Sequence, residues 1–89
     1  MSNEKFYREM FNEFGENANS MMINILITGL SSSNVCVNPC ACDDSIAELS
    51  SLKNGLNKST VSEVMKEHWL ALIKDSKHKC ELNYKLLVS

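Results

Sequence analysis

Only three glycines and one proline punctuate these 89 residues. Those two residue types are the strongest markers of turns and loops. Their scarcity argues against a loop-rich scaffold and for a chain spent mostly in regular elements. The length suits one small domain spanning residues 1–89. A domain of this size buries only a modest fraction of its surface, so a dimer or a bound metal would help to stabilise it. The formal net charge is −2, so a nucleic-acid partner would need a local basic patch rather than bulk charge.

The opening "MSNEKFYREM" has no basic stretch followed by an apolar one, so no signal peptide is read. The longest apolar run, Met21 to Leu30, is interrupted by Asn24 and falls well short of the about 20 residues that span a bilayer. These features predict a cytoplasmic protein without a membrane partner. The four cysteines are then thiols or metal ligands more readily than disulfides. Asn57-Lys58-Ser59 matches a glycosylation pattern that carries no weight without secretion.

Periodicity orders the elements. Phe6, Met10 and Phe14, with Tyr7 and Phe11 beside them, predict a first helix ending at Gly15. Met22, Ile23, Leu26, Ile27 and Leu30 give the buried stripe of a second, from about Ala18 to Gly29. Val35 and Val37 alternate as in a short strand that Pro39 ends. Ser45 and Glu48 have the spacing of a capping box, and Asp43 and Asp44 suit a helix start, so a third helix is expected from about Ser45 to Lys53. Asn54-Gly55 is read as a turn, and a fourth helix as about Lys58 to Ala71, with Val61, Val64, Met65, His68 and Leu72 on one face. Trp69 reads as core or interface. After Ala71 the period changes. Leu72 to Lys74 and Cys80 to Val88 read as two strands joined by "DSKHK", because Leu82, Tyr84 and Leu86 alternate with Glu81, Asn83 and Lys85.

The expected fold class is therefore mainly α (α+β): about four helices and a C-terminal β-hairpin. That order resembles the winged helix-turn-helix of the ArsR/SmtB family of metal- and stress-responsive repressors. Gly55-Leu56, Asn57-Lys58, Ser59-Thr60-Val61-Ser62, Met65-Lys66 and Ala71-Leu72-Ile73-Lys74 run in the family's register without a gap, and Tyr84-Lys85-Leu86 is similar to its wing ending. The pattern departs at Asn17-Ala18-Asn19, where the family has Pro-Thr-Arg, at Val64, where it often has histidine, and at Leu72, where it has glycine. The resemblance implies a helix-turn-helix at about 45–71, a wing at about 72–88, and a cytoplasmic transcriptional regulator that represses as a dimer on double-stranded DNA. With no helix after the wing, the homodimer would rest mainly on the first helix.

A helix N-terminus with short hydroxyls can sit deep in the major groove and offer donors to bases and phosphates. Asn57, Lys58, Ser59, Thr60 and Ser62 suit that task, with Lys66 two turns on reaching a phosphate. Lys74, Lys77, His78 and Lys79 on the hairpin suit backbone or minor-groove contact. Glu63 opposes this reading by repelling phosphate. The plainer alternative is a capped helix, with Ser59 or Thr60 as the cap, followed by a solvated turn.

Cys36, Cys40 and Cys42 crowd into one short segment. The resemblance implies a thiol sensor there, since Cys40-Ala41-Cys42-Asp43 is similar to the family's Cys-Val-Cys-Asp. Three thiolates could hold arsenite or antimonite, zinc or a similar thiophilic ion as effector, and zinc would want a fourth ligand. Cysteine is equally at home as a small buried apolar residue. His68 and His78 read as a helix-face residue and a wing residue rather than ligands. No Gly-rich phosphate loop or paired-carboxylate arrangement marks an enzyme, and no cofactor is required by the sequence. Two further readings stay open: a winged-helix protein-interaction module without DNA binding, and a small thiolate metal-binding protein.

Overall fold

Residues 3–31 and 38–89 are described by the structure, a computed structural model. They form α1 (Glu4–Phe14), α2 (Met21–Leu30), α3 (Pro39–Asn57) and α4 (Glu63–Val88). Among the described residues there is no strand. The expected short strand at Val35 to Val37 lies outside the described residues.

The C-terminal half departs most from expectation. Residues 72–88 do not fold back as a wing. They continue α4, so the winged helix-turn-helix, with its helix-turn-helix at 45–71 and recognition helix at Lys58–Ala71, is not formed. The reason lies in the side-chain stripe. Trp69, Ile73, Ser76 and Cys80 are all buried, with Met65 and Tyr84 packed against the same core. Those positions recur with the period of a helix. The strand-like alternation at Leu82, Tyr84 and Leu86 brings only Tyr84 to the core, while Leu86 is 74% exposed. Nothing interrupts the run, since Glu63 to Val88 holds no glycine or proline. Asp75 and Lys79, expected in a hairpin loop, form an i,i+4 ion pair at 3.1 Å on the helix surface.

The third helix also starts and ends elsewhere. Asn38 caps it, its Oδ1 accepting from the Ala41 backbone N–H at 2.9 Å, and Pro39 takes the first turn. Proline belongs there because its missing N–H would find no partner in a first turn anyway. Glu48 forms no capping box with Ser45. Its carboxylate instead accepts from the Tyr7 hydroxyl and, at 3.2 Å, from Asn3 Nδ2. Asn54-Gly55 makes no turn, and α3 runs through it. Gly55 is needed for close approach. A Cβ there would stand 2.8 Å from the Arg8 nitrogen and 2.9 Å from the Glu4 oxygen, both backbone atoms of α1.

α3 and α4 make the most extensive contact, as an antiparallel hairpin. Lys77 of α4 reaches Ser50 near the middle of α3. α1 packs on α3, and α2 touches both α3 and α4. Phe11, Ile23, Ile27, Leu49, Leu52, Leu56 and Trp69 are fully buried between them. Trp69 is the pivot, since its indole N–H donates to the Gly15 carbonyl at 2.8 Å and its ring packs near Phe11. On α1 the burial falls on Tyr7, Met10 and Phe11, whereas Phe6 is 62% exposed.

Tyr7 carries a titration built into the α1–α3 contact. Burial, then its hydrogen bond to the Glu48 carboxylate and that carboxylate's charge, push its phenol from 10.0 up to about 12. The fold thus favours the neutral phenol. That contribution is fully present below pH 10.0 and is lost as the pH rises through about 12. In urea titrations across this window, the Tyr7→Phe protein is expected to lose stability less steeply than the parent. Equal slopes would contradict the assignment.

Candidate functional site

Along one side of the α3–α4 hairpin runs a groove of about 480 Å³. α3 contributes Leu49, Ser50 and Lys53, while α4 contributes Leu70, Ile73, Lys74, Lys77, His78 and Glu81. On α4 these positions recur at i, i+3, i+4, i+7, i+8 and i+11, so one helix face supplies them. Leu49 and Ile73 are buried beneath the groove, and Leu70 is the half-buried apolar side chain between them and solvent. Lys53, Lys74 and Lys77 form the rim. Lys77 donates to the Ser50 hydroxyl at 3.4 Å. Among the described residues no carboxylate forms an ion pair with any of the three lysines. Three ammonium groups against the single Glu81 carboxylate make this a local positive surface on a chain of net charge −2.

Most of the residues expected to meet DNA fall into two groups. Lys74, Lys77 and His78 come together in the groove. Ser62, which caps α4, lies roughly 20 Å from them by the helix's 1.5 Å rise per residue, and Asn57, Lys58, Ser59 and Thr60 stand at the end of α3 and in the α3–α4 connection, which ties to α1. The Thr60 N–H and hydroxyl both donate to Asn12 Oδ1, at 2.7 and 3.1 Å. The Ser62 N–H donates to the Glu16 carboxylate at 2.7 Å, and its hydroxyl caps α4. Ser59 is buried, its hydroxyl donating to the Leu56 carbonyl at 2.6 Å. Lys58 pairs with Glu4 at 2.9 Å. Lys66 donates to the Asn57 carbonyl at 3.4 Å, and Lys79 is held by Asp75. The polar cluster thus fastens the hairpin to α1.

Of the expected thiol cluster, Cys36 lies outside the described residues. Cys40 and Cys42 occupy the first turn of α3, the former exposed and the latter fully buried. Residues two apart on a helix do not face each other, so these thiols point to different sides. Among the described residues no group of three His, Cys, Asp or Glu side chains stands close enough to hold a metal ion. Likewise, no helix among the described residues is long and apolar enough to cross a membrane.

Sequence reasoning missed Lys53, Leu70 and Glu81. Leu70, Lys74, Lys77 and Glu81 become visible as one stripe once 72–88 is read with a helical period. Lys53 has no local signal, because only the antiparallel pairing of α3 and α4 brings it to the groove. Set against family models, curated proteins and solved structures, the chain matches none of them.

Proposed function

We propose that this chain is a small helical binding module that recognises an anionic partner through the α3–α4 groove and carries out no covalent chemistry. The observation that carries this reading is the gathering of Lys53, Lys74 and Lys77 over Leu70 in a chain of net charge −2. On a chain of net charge −2 an anion is drawn to a place where positive charge is concentrated. Solvated lysine rims contribute modestly each, on the order of 0.2–1 kcal/mol per pair, so recognition is summed over the rim and sensitive to salt.

A regulator of transcription bound to double-stranded DNA fits the same chemistry, favoured by the presence of Lys74, Lys77 and His78 in the groove. Contact would then run through groove lysines rather than a wing, and counterion release would make binding fall steeply with salt.

Fluorescence anisotropy with labelled polyglutamate and a short labelled DNA duplex at low salt tests the proposal. The parent protein is expected to bind at least one probe. The Lys53→Gln/Lys74→Gln/Lys77→Gln protein should bind it about tenfold more weakly, as three rim charges at about 0.5 kcal/mol each imply. All three positions line the solvent-facing rim, so the variant should fold. Failure of both probes to bind, or full affinity in the triple variant, would overturn the reading.

A further inference from the structure

We infer that the occupant of the groove is an acidic amphipathic helix of a partner protein, an inference that rests on the anion-recognition reading above. Charge complementarity and shape together select it. The groove follows α4 from Leu70 to Glu81, about 16 Å or three helical turns. Two antiparallel helices leave between them a trough that a third helix fills with its side-chain ridges. α1 packs on α3, and α2 touches both hairpin helices, whereas nothing in the described chain covers the groove. Its floor is apolar at Leu70, and the methylene stems of Lys53, Lys74 and Lys77 extend that apolar surface while their ammonium groups stay in water.

A partner helix with leucines at i, i+3 or i+4, and i+7 would set them against Leu70 and the lysine stems. Glutamates flanking that stripe would meet the three ammonium groups, which is the helix-in-groove mode of recognition. A DNA backbone offers charge but no apolar ridge for Leu70. Glu81, at the C-terminal end of the groove, disfavours a partner carboxylate at that end.

The test uses the full chain and four labelled probes: a leucine/glutamate peptide with that helical stripe, a scrambled peptide of equal composition, polyglutamate and a DNA duplex. The striped peptide should bind about tenfold or more tightly than the other three, since scrambling retains charge and discards the apolar match. Bound peptide should gain helical circular dichroism. Leu70→Gln and the triple lysine variant should each weaken the striped peptide, and in Leu70→Gln the preference for the striped over the scrambled peptide should shrink. Equal binding of the scrambled peptide, or tighter binding of DNA, would overturn the helical occupant while leaving anion recognition intact. Absence of binding by every probe would overturn both.

Discussion

Replacing Trp69 with alanine is expected to remove about 3–5 kcal/mol of stability, the largest effect of any single substitution considered. A small domain has about 5–15 kcal/mol in total, so the variant should be largely unfolded at modest urea concentrations. Two losses combine. The indole is fully buried against Phe11, so its removal leaves a cavity that the neighbouring helices cannot fill without moving. Its N–H also holds the Gly15 carbonyl at 2.8 Å, at the end of α1. Gly15 is buried, and a carbonyl stranded there costs on the order of 1–3 kcal/mol. Trp69→Phe separates the two losses, because it keeps a ring in the core and removes only the donor and some volume. Its urea midpoint should fall between those of the parent and Trp69→Ala. If Trp69→Ala unfolds at the parent's midpoint, Trp69 is not the pivot of the core.

Lys79→Pro is expected to cost about 3 kcal/mol or more, because proline inside a helix removes a backbone donor and clashes with the preceding turn. Lys79 is exposed and its ion pair with Asp75 is worth only a few tenths of a kcal/mol. Lys79→Ala should therefore be nearly silent, and the difference between the two variants reports the backbone alone. In a hairpin loop at Asp75 to Lys79 the same proline would be tolerated. Thermal melts of the pair thus discriminate a continuous α4 from a wing, and nearly equal melting temperatures would count against the helix.

The sequence made some elements legible and hid others for identifiable reasons. The first helix and its end at Gly15 could be read because its aromatic positions repeat every three or four residues and a glycine follows. The second could be read from its apolar run. The third was misplaced at both ends. Pro39 reads as the end of a strand at Val35 to Val37, although asparagine followed by proline is also a helix start. Asn54-Gly55 reads as a turn, although the missing side chain of Gly55 serves the crossing of α1 over α3. The tail was ambiguous in itself. Leu82, Tyr84 and Leu86 obey a period of two, while Trp69, Ile73, Ser76, Cys80 and Tyr84 obey a period near 3.6. The longer pattern prevails because it joins the tail to a core already set by Trp69.

The candidate site was half legible on the same grounds. Lys74, Lys77 and His78 stood out as a basic cluster, but the period assigned to them turned one helix face into a loop. Lys53 was silent because its place depends on tertiary pairing. The polar run Asn57 to Ser62 reads as the start of a helix at about Lys58, but Asn57 ends α3, the next residues form the connection, and α4 starts at Glu63 behind a Ser62 cap. Hydroxyls and amides suited to DNA are equally suited to capping and to cross-linking a connection. Asn12 and Glu16, which occupy those groups, cannot be seen as partners from local pattern.

The continuity of α4 underlies the groove, the reassigned tail and the proposed partner. Backbone NMR across Leu72 to Val88 tests it most directly. A continuous α4 gives sequential amide–amide contacts and helical Cα shifts through Asp75, Ser76, Lys77, His78 and Lys79 without a break. Cross-strand contacts between Leu72–Lys74 and Cys80–Val88, with extended shifts in both segments, would contradict it.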